Sequence, residues 1–286
     1  MEIFAVSFVA GISLGLLFFL IAAGLSLVMG LMGIVNLAHG HLVMVGAYFG
    51  VFVAKTTGNF ALGILAGSGA AGLVGLGIER GFLRGLYRRE LEQILVTFGF
   101  VYIITNLHLW IYGARGKGPF VPEAWAGTVL IGEHSLPIHR LAVIGIGVAI
   151  YLALWWLQDK TRLGAIIRAG MDDKEMVSGL GINLIPITVG IFFLGSAIAG
   201  FAGVIGAPLI GGLSLGMGLT LLTVALAVVI VGGMGSIHGA MAGALLIGVA
   251  IVLMTTYLPV LAMFIMYIAM ILILIFRPSG LLGRRV

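Results

Sequence analysis

Cysteine is absent from this 286-residue sequence, and charged residues make up only 9% of it. Without thiols there is neither a disulfide framework nor a thiolate metal site, and the redox compartment leaves no trace. A soluble globular domain carries about 25% charged residues, so a polytopic membrane protein is read instead. All ten acidic residues (Glu2, Glu79, Glu90, Glu92, Glu123, Glu133, Asp159, Asp172, Asp173 and Glu175) lie outside the apolar runs. Proton relays place ionisable groups within the bilayer, and the expected spans offer no carboxylate for one. Sodium held by carbonyls at broken helices stays open. A G-x-x-x-x-G-K-[ST] phosphate loop is also missing; the nearest text, GARGKGPF from Gly113, lacks the spacing and the hydroxyl. Any ATP-driven step therefore needs another polypeptide. His39 and His41 are the one close pair among six histidines, and two residues apart on a helix they would not share a face, so no metal site is assigned. No paired carboxylates or Ser/His dyad occurs in the apolar runs, and an enzyme is not expected.

What is present is 61% hydrophobic residues and 46 glycines. No strands of about ten alternating residues are visible, which sets a barrel aside. The fold expected is an all-α polytopic bundle of eight to nine transmembrane helices, some of them broken, in a single membrane domain. A crossing needs about 20 apolar residues, and runs of that kind lie near 4–31, 38–55, 60–78, 94–113, 140–157, 183–207, 218–233, 236–256 and 258–276. If 38–55 is a re-entrant half-helix, the count falls to eight. Small-residue pairs at Gly11/Gly15, Gly63/Gly67, Gly77/Gly81 and Gly239/Gly243 suit close helix packing in lipid. The N-terminus MEIFAVSF has no basic residue before its apolar run and does not read as a cleaved leader.

Arginine and lysine concentrate in 79–93, in 159–182 and in the tail 277–286, through Arg277, Arg284 and Arg285. By the positive-inside rule all three are cytoplasmic, and nine crossings then put the N-terminus outside. The net charge of +5 serves orientation at a lipid surface and is no argument for nucleic acid. The outer segment 114–139 carries Gly/Pro punctuation around TVLI and SLPI and reads as a small hairpin, either a connector or a docking surface.

Two stretches stand out. The first is DKTRLGAIIRAGMDDKEMVSGLGI, residues 159–182, a polar interruption of helical length. Leu163, Ile166 and Ile167, then Met176, Val177 and Leu180, mark two short amphipathic helices broken at Gly170-Met171, with Asp172 as N-cap and Glu175 as its capping-box partner. They are read either as an interfacial pair lying in the headgroups or as an element that docks a soluble partner. The second is a repeated break: G-L-M-G from Gly30 and G-G-M-G from Gly232 each interrupt an apolar run before a polar cluster (Asn36, His39, His41; Ser236, His238). Both preceding helices would run in the same direction, as in a parallel internal repeat. Glycine-broken helices at corresponding positions point to a translocation path. Its lining is expected from Gly30, Gly33, Asn36, His39, His41, Thr97, Asn106, Ser236 and His238, with Ser196 nearby, and suits a small neutral or zwitterionic solute.

These residues carry a resemblance. GLSLVMGLMGIVNLAHGHLVMVGAY from Gly24, LVTFGFVYIITNL from Leu95, TRLGAIIRAGMDDKEMVSGLGI from Thr161, GSAIAGFAGVIGAP from Gly195, GGMGSIHGAMAGALLIG from Gly232 and FRPSGLLG from Phe276 resemble the integral-membrane permeases of branched-chain amino-acid ABC importers, nearest the H-type subunit. The resemblance implies a bacterial inner-membrane importer with a second permease (a paralogue or self), two cytosolic ATPases that bind the ATP and magnesium, and a periplasmic solute-binding protein. This chain itself would hold no cofactor. It implies that Arg162, Gly164, Arg168, Asp172, Glu175 and Gly181 belong to the segment meeting the ATPase, and that Asn36, Ala38, His39 and Gly40 match an N-x-A-H-G block beside the path. After that block stands His41, where the family usually has an acid. The alternative from the residues alone is a self-sufficient channel or facilitator for a small neutral solute such as urea or an amide.

Overall fold

The computed structural model describes residues 2–33, 35–87 and 89–283. The all-α bundle expected from the composition is what forms: α1 (Glu2–Met32), α2 (His39–Thr57), α3 (Phe60–Ile78), α4 (Glu90–Tyr112), α5 (Ile138–Lys160), α6 (Arg162–Asp172), α7 (Lys174–Gly179), α8 (Leu184–Gly206), α9 (Met217–Gly232), α10 (Ile237–Tyr257), α11 (Pro259–Ala262) and α12 (Ile265–Phe276). Six helical runs are long and apolar enough to cross a membrane. Of the other three expected spans, 38–55 forms the unbroken 19-residue α2, whereas 218–233 and 258–276 form shorter or broken elements. α9 has 16 residues, and the last run splits after Ala262 into the α11 turn and the 12-residue α12.

The core is built on α1, whose residues Leu16 to Leu27 are almost all buried among α8, α9 and α10. Close approach there depends on glycine. A Cβ on Gly24 would lie 2.8 Å from Gly195 Cα of α8 and closer still to its carbonyl oxygen, and one on Gly15 would lie 2.9 Å from Leu245 Cα of α10. Gly63 and Gly67 fit against α2, and Gly239 and Gly243 against α9, so three of the four small-residue pairs lie at helix crossings. Gly77 and Gly81 do not: both are exposed, with nothing within 4 Å of either Cβ position.

Contacts sort the loops to two ends. One end gathers the N-terminus, 58–59, the outer segment and the 257–258 turn. There Ser7 Oγ lies 3.1 Å from Thr256 Oγ1, and Lys55 Nζ donates to the Gly118 carbonyl at 2.8 Å. The expected hairpin forms, with β1 (Thr128–Ile131) antiparallel to β2 (His134–Pro137) and Thr128 opposite Pro137. It is tied down, since the Glu133 amide donates to Glu2 Oε2 at 3.3 Å and Lys117 exchanges backbone bonds with Leu213. The other end holds the segments after α1, α3, α5, α9 and α12.

Two sequence expectations about charge and breaks change. Residues 79–93 are not an open loop: α3 continues through a π-helical turn (Glu79–Leu83) and a 3-10 turn (Arg84–Leu86) before α4 starts at Glu90. Four residues apart on one face, Glu79 and Leu83 are buried while Arg80 and Arg84 point outward. The Glu79 carboxylate is fully buried and accepts the Tyr87 hydroxyl, so one acid lies inside the protein at the end of a span. Burial first, then that hydrogen bond, push the Tyr87 phenol well up. In 159–182 the helix break falls at Asp173, not at Gly170-Met171. Asp173 is the N-cap of α7, accepting the amides of Glu175 and Met176 at 2.9 Å each, so the Asp172–Glu175 capping box does not form. α6 runs through Gly170 because Gly164, Ile167 and Gly170 turn one continuous face inward. Arg284 and Arg285 lie outside the described residues.

A candidate functional site where two broken helices meet

The two glycine breaks come together at the end that carries α6 and α7. A Cβ on Gly30 would stand 2.6 Å from Gly235 Cα and against the Met171 methyl of α6, so helix break touches helix break with one methionine pressed on both. The backbone needs glycine here for another reason. Gly33 (φ 75°), Gly233 (φ 102°) and Gly235 (φ 75°) occupy the left-handed region that side chains disfavour. Further links tie the junction to 159–182. Lys174 Nζ donates to the Met32 carbonyl at 3.0 Å, a cation on the C-terminal end of α1. Burial lowers the pKa of that amine, and Glu90 opposes the shift. Gln158 Nε2 reaches the Gly235 carbonyl at 3.4 Å.

Around this junction opens a cavity of about 700 Å³. Gly30, Gly33, Ser236 and His238 line it, as do Arg168 and Asp172 from the 159–182 segment. On its charged side Arg168 Nη1 lies 3.3 Å from Asp159 Oδ1 and also donates to the Gln158 carbonyl. His238 Nε2 stands 3.9 Å from Asp159 Oδ2, with its side chain 42% exposed. The Ser236 hydroxyl oxygen caps α10 by accepting the Gly239 amide at 3.0 Å.

The remaining path residues lie deeper or elsewhere. After Gly33 the chain climbs back along α1 and restarts as α2 inside the bundle, where His39 Nε2 meets the Ile21 carbonyl at 2.8 Å. Ile21 is eleven residues before the end of α1, roughly 16 Å at a helical rise of about 1.5 Å per residue. Asn36 Oδ1 accepts the Ala38 amide at 3.0 Å, and Thr97 Oγ1 accepts the Leu37 amide at 3.3 Å, so these side chains fasten the climbing segment. A Cβ on Gly40 would fall 2.7 Å from the Leu222 amide of α9, and His41 packs against Gly218 with its Nδ1 buried and, among the described residues, without a partner. Ser196 is buried and donates to the Phe192 carbonyl at 2.7 Å. Asn106 is on the exposed face of α4, donating to Tyr102, and does not join the others.

In 159–182, Arg162, Glu175 and Gly181 are exposed and Gly164 is buried under the Leu157–Gln158 carbonyls. Of the apolar residues expected to pack, Ile167 and Val177 do, whereas Met176 is 66% and Leu180 74% exposed. What sequence reasoning missed was the Asp159, Arg168 and Met171 contribution to the cavity, and the only signal was that these residues share a polar stretch.

Comparison with known proteins places the chain by sequence. Residues 7–274 match the family model described as the permease component of branched-chain amino acid transport systems. The chain is 32% identical to the high-affinity branched-chain amino acid transport system permease protein BraD of Pseudomonas aeruginosa, over 96% of this chain and 94% of the relative. It is 29% identical to the LivH permease proteins of Escherichia coli K12 and Salmonella typhimurium, with the same coverage. No solved structure is significantly similar to it. With the match running from the first helix to the last, the chain belongs to the family of branched-chain amino acid transport system permease components.

Proposed function

We propose that this chain is the membrane-spanning permease subunit of an ATP-driven importer for branched-chain or other hydrophobic amino acids. It is a transporter subunit and not a catalytic enzyme. The observation that carries the reading is the junction itself: both helix breaks of the core meet under α6, and α6 leads through Asp173 into α7, where Met176 and the C-cap Leu180 are exposed. A segment that touches the broken helices on one side and offers apolar side chains on the other suits a coupling element for a soluble partner. The partner proposed is a cytosolic ATPase that holds ATP and magnesium, since the sequence has no phosphate loop. Basic residues in 79–93 and 159–182 assign that end to the cytoplasm, so the hairpin end and the N-terminus face the periplasm of a bacterial inner membrane, towards a solute-binding protein. One coupling segment per chain supports a dimer with a second permease, serving two ATPases.

The test is reconstitution of the complex into liposomes with the binding protein, following L-leucine uptake with and without ATP. ATP-dependent accumulation is expected. Transport by this chain alone, down a gradient and indifferent to ATP, would replace the reading with a facilitator. Met176→Glu combined with Leu180→Glu is expected to abolish co-purification of the ATPase while membrane insertion stays intact.

A further inference from the structure

The cavity at the junction is amphiphilic in a specific way. Its charged lining is the Asp159 and Asp172 carboxylates, the Arg168 guanidinium and the His238 imidazole, and its apolar lining includes Ile230, Leu274 and Leu282. Its volume of about 700 Å³ lies within the usual range for small-molecule sites. The charged groups line the cavity, and Arg168 and Asp159 are ion-paired through one nitrogen and one oxygen, Nη1 to Oδ1 at 3.3 Å. Side-chain exposures are 30% for Arg168 and 35% for Asp159. The 3.9 Å between His238 Nε2 and Asp159 Oδ2 exceeds hydrogen-bond length. Among the described residues Arg168 is engaged through Nη1 alone, which leaves Nη2 and Nε for a planar two-oxygen acceptor.

From these features we infer that the cavity is a binding site for a zwitterionic amino acid with an apolar side chain. Its ammonium would go to Asp159 beside His238, its carboxylate to the free edge of Arg168, and its side chain to the Ile230–Leu274–Leu282 wall. Position gives the site a second property. Arg168 and Met171 belong to α6, and Met171 bears on Gly30 and Gly235, so an occupant bridges the coupling segment and both helix breaks. A ligand that binds one arrangement of these elements favours that arrangement. Solute on this face therefore holds the junction and slows further import, a product-side brake. The direction of the brake rests on the proposed function, which assigns this end to the cytoplasm; the binding site does not.

The experiment uses the complex of permeases and ATPases without the binding protein, with L-leucine as probe. Equilibrium dialysis of labelled L-leucine is expected to show saturable binding, with 4-methylpentanoate (no ammonium) and 3-methylbutylamine (no carboxylate) competing at least about tenfold more weakly, the scale of one lost charge-assisted hydrogen bond. Asp159→Asn is expected to weaken binding about tenfold. Leu282→Trp, which fills the apolar side and leaves the ion cluster in place, is expected to abolish it. In liposomes, L-leucine on the ATPase side is expected to lower ATP turnover in the unmodified complex and not in Leu282→Trp. Absence of L-leucine binding, or binding unchanged in both variants, overturns the site. Binding with no effect on turnover overturns the brake. ATP-dependent uptake is measured separately, so the importer reading stands or falls on its own result.

Discussion

The two glycine breaks begin alike and end differently. After Gly33 the chain retreats along α1 and restarts beside Ile21, with Asn36, His39 and His41 all buried. After Gly235 the helix restarts at once, Gly239 lying against Gly232, and Ser236 and His238 line the cavity. The difference lies in what each polar cluster finds. Asn36 and His39 reach the Ala38 amide and the Ile21 carbonyl, so they can be buried without leaving those polar groups unpaired. Ser236 spends its hydroxyl on an N-cap, and His238 meets a distant carboxylate and, edge to face, the Tyr151 ring. A repeated motif thus specifies where a helix stops. The depth at which the next one starts depends on neighbours.

Substitutions can break or sharpen that contrast. The largest effect is expected at the contact between the breaks: Gly235→Val forces a β-branched residue into a left-handed conformation against Gly30 and Met171. Overpacking of that kind costs about 1–3 kcal/mol before the backbone strain is added, so the detergent-solubilised complex should lose cooperative thermal unfolding and transport together. Next comes His39→Ala, which removes a buried anchor and should destabilise by roughly 1–3 kcal/mol, read as a lowered midpoint of thermal unfolding with ATPase association retained. His238→Ala should shift stability by only about 0.5 kcal/mol, as for an exposed site. Equal loss of stability in the two histidine variants would erase the distinction between a buried fastener and a cavity group.

Much of the fold was legible because it follows from local chemistry. Long apolar runs become helices wherever no water is present to satisfy the backbone, and the outer hairpin announced itself by alternation between turn residues. Legibility failed where charge density stood in for structure. The text ERGFLRGL reads as part of a polar loop, yet it continues α3, because Glu79 and Leu83 share an inward face and Arg80 and Arg84 an outward one. The break in 159–182 was misplaced by a few residues for a related reason: Gly170 looks like a stop, but it is an inward-facing small residue, set against Leu31 and Leu184.

By itself the sequence determined the class of protein, the approximate runs of its helices, the positions of both breaks and the segregation of basic residues into the segments that gather at one end. Each of these depends on residue type and spacing along one stretch, through hydrophobic transfer, glycine's freedom at positive φ and the cost of charge in lipid. Tertiary structure alone decided that Gly30 meets Gly235 under Met171, that α2 starts within the bundle, and that Asp159, Arg168 and His238 share a cavity with Ile230 and Leu282. Those contacts join residues as much as 205 positions apart, as Gly30 and Gly235 are. Which pair forms is set by how side chains of several helices interdigitate at once, a property of the packed whole that no local pattern encodes.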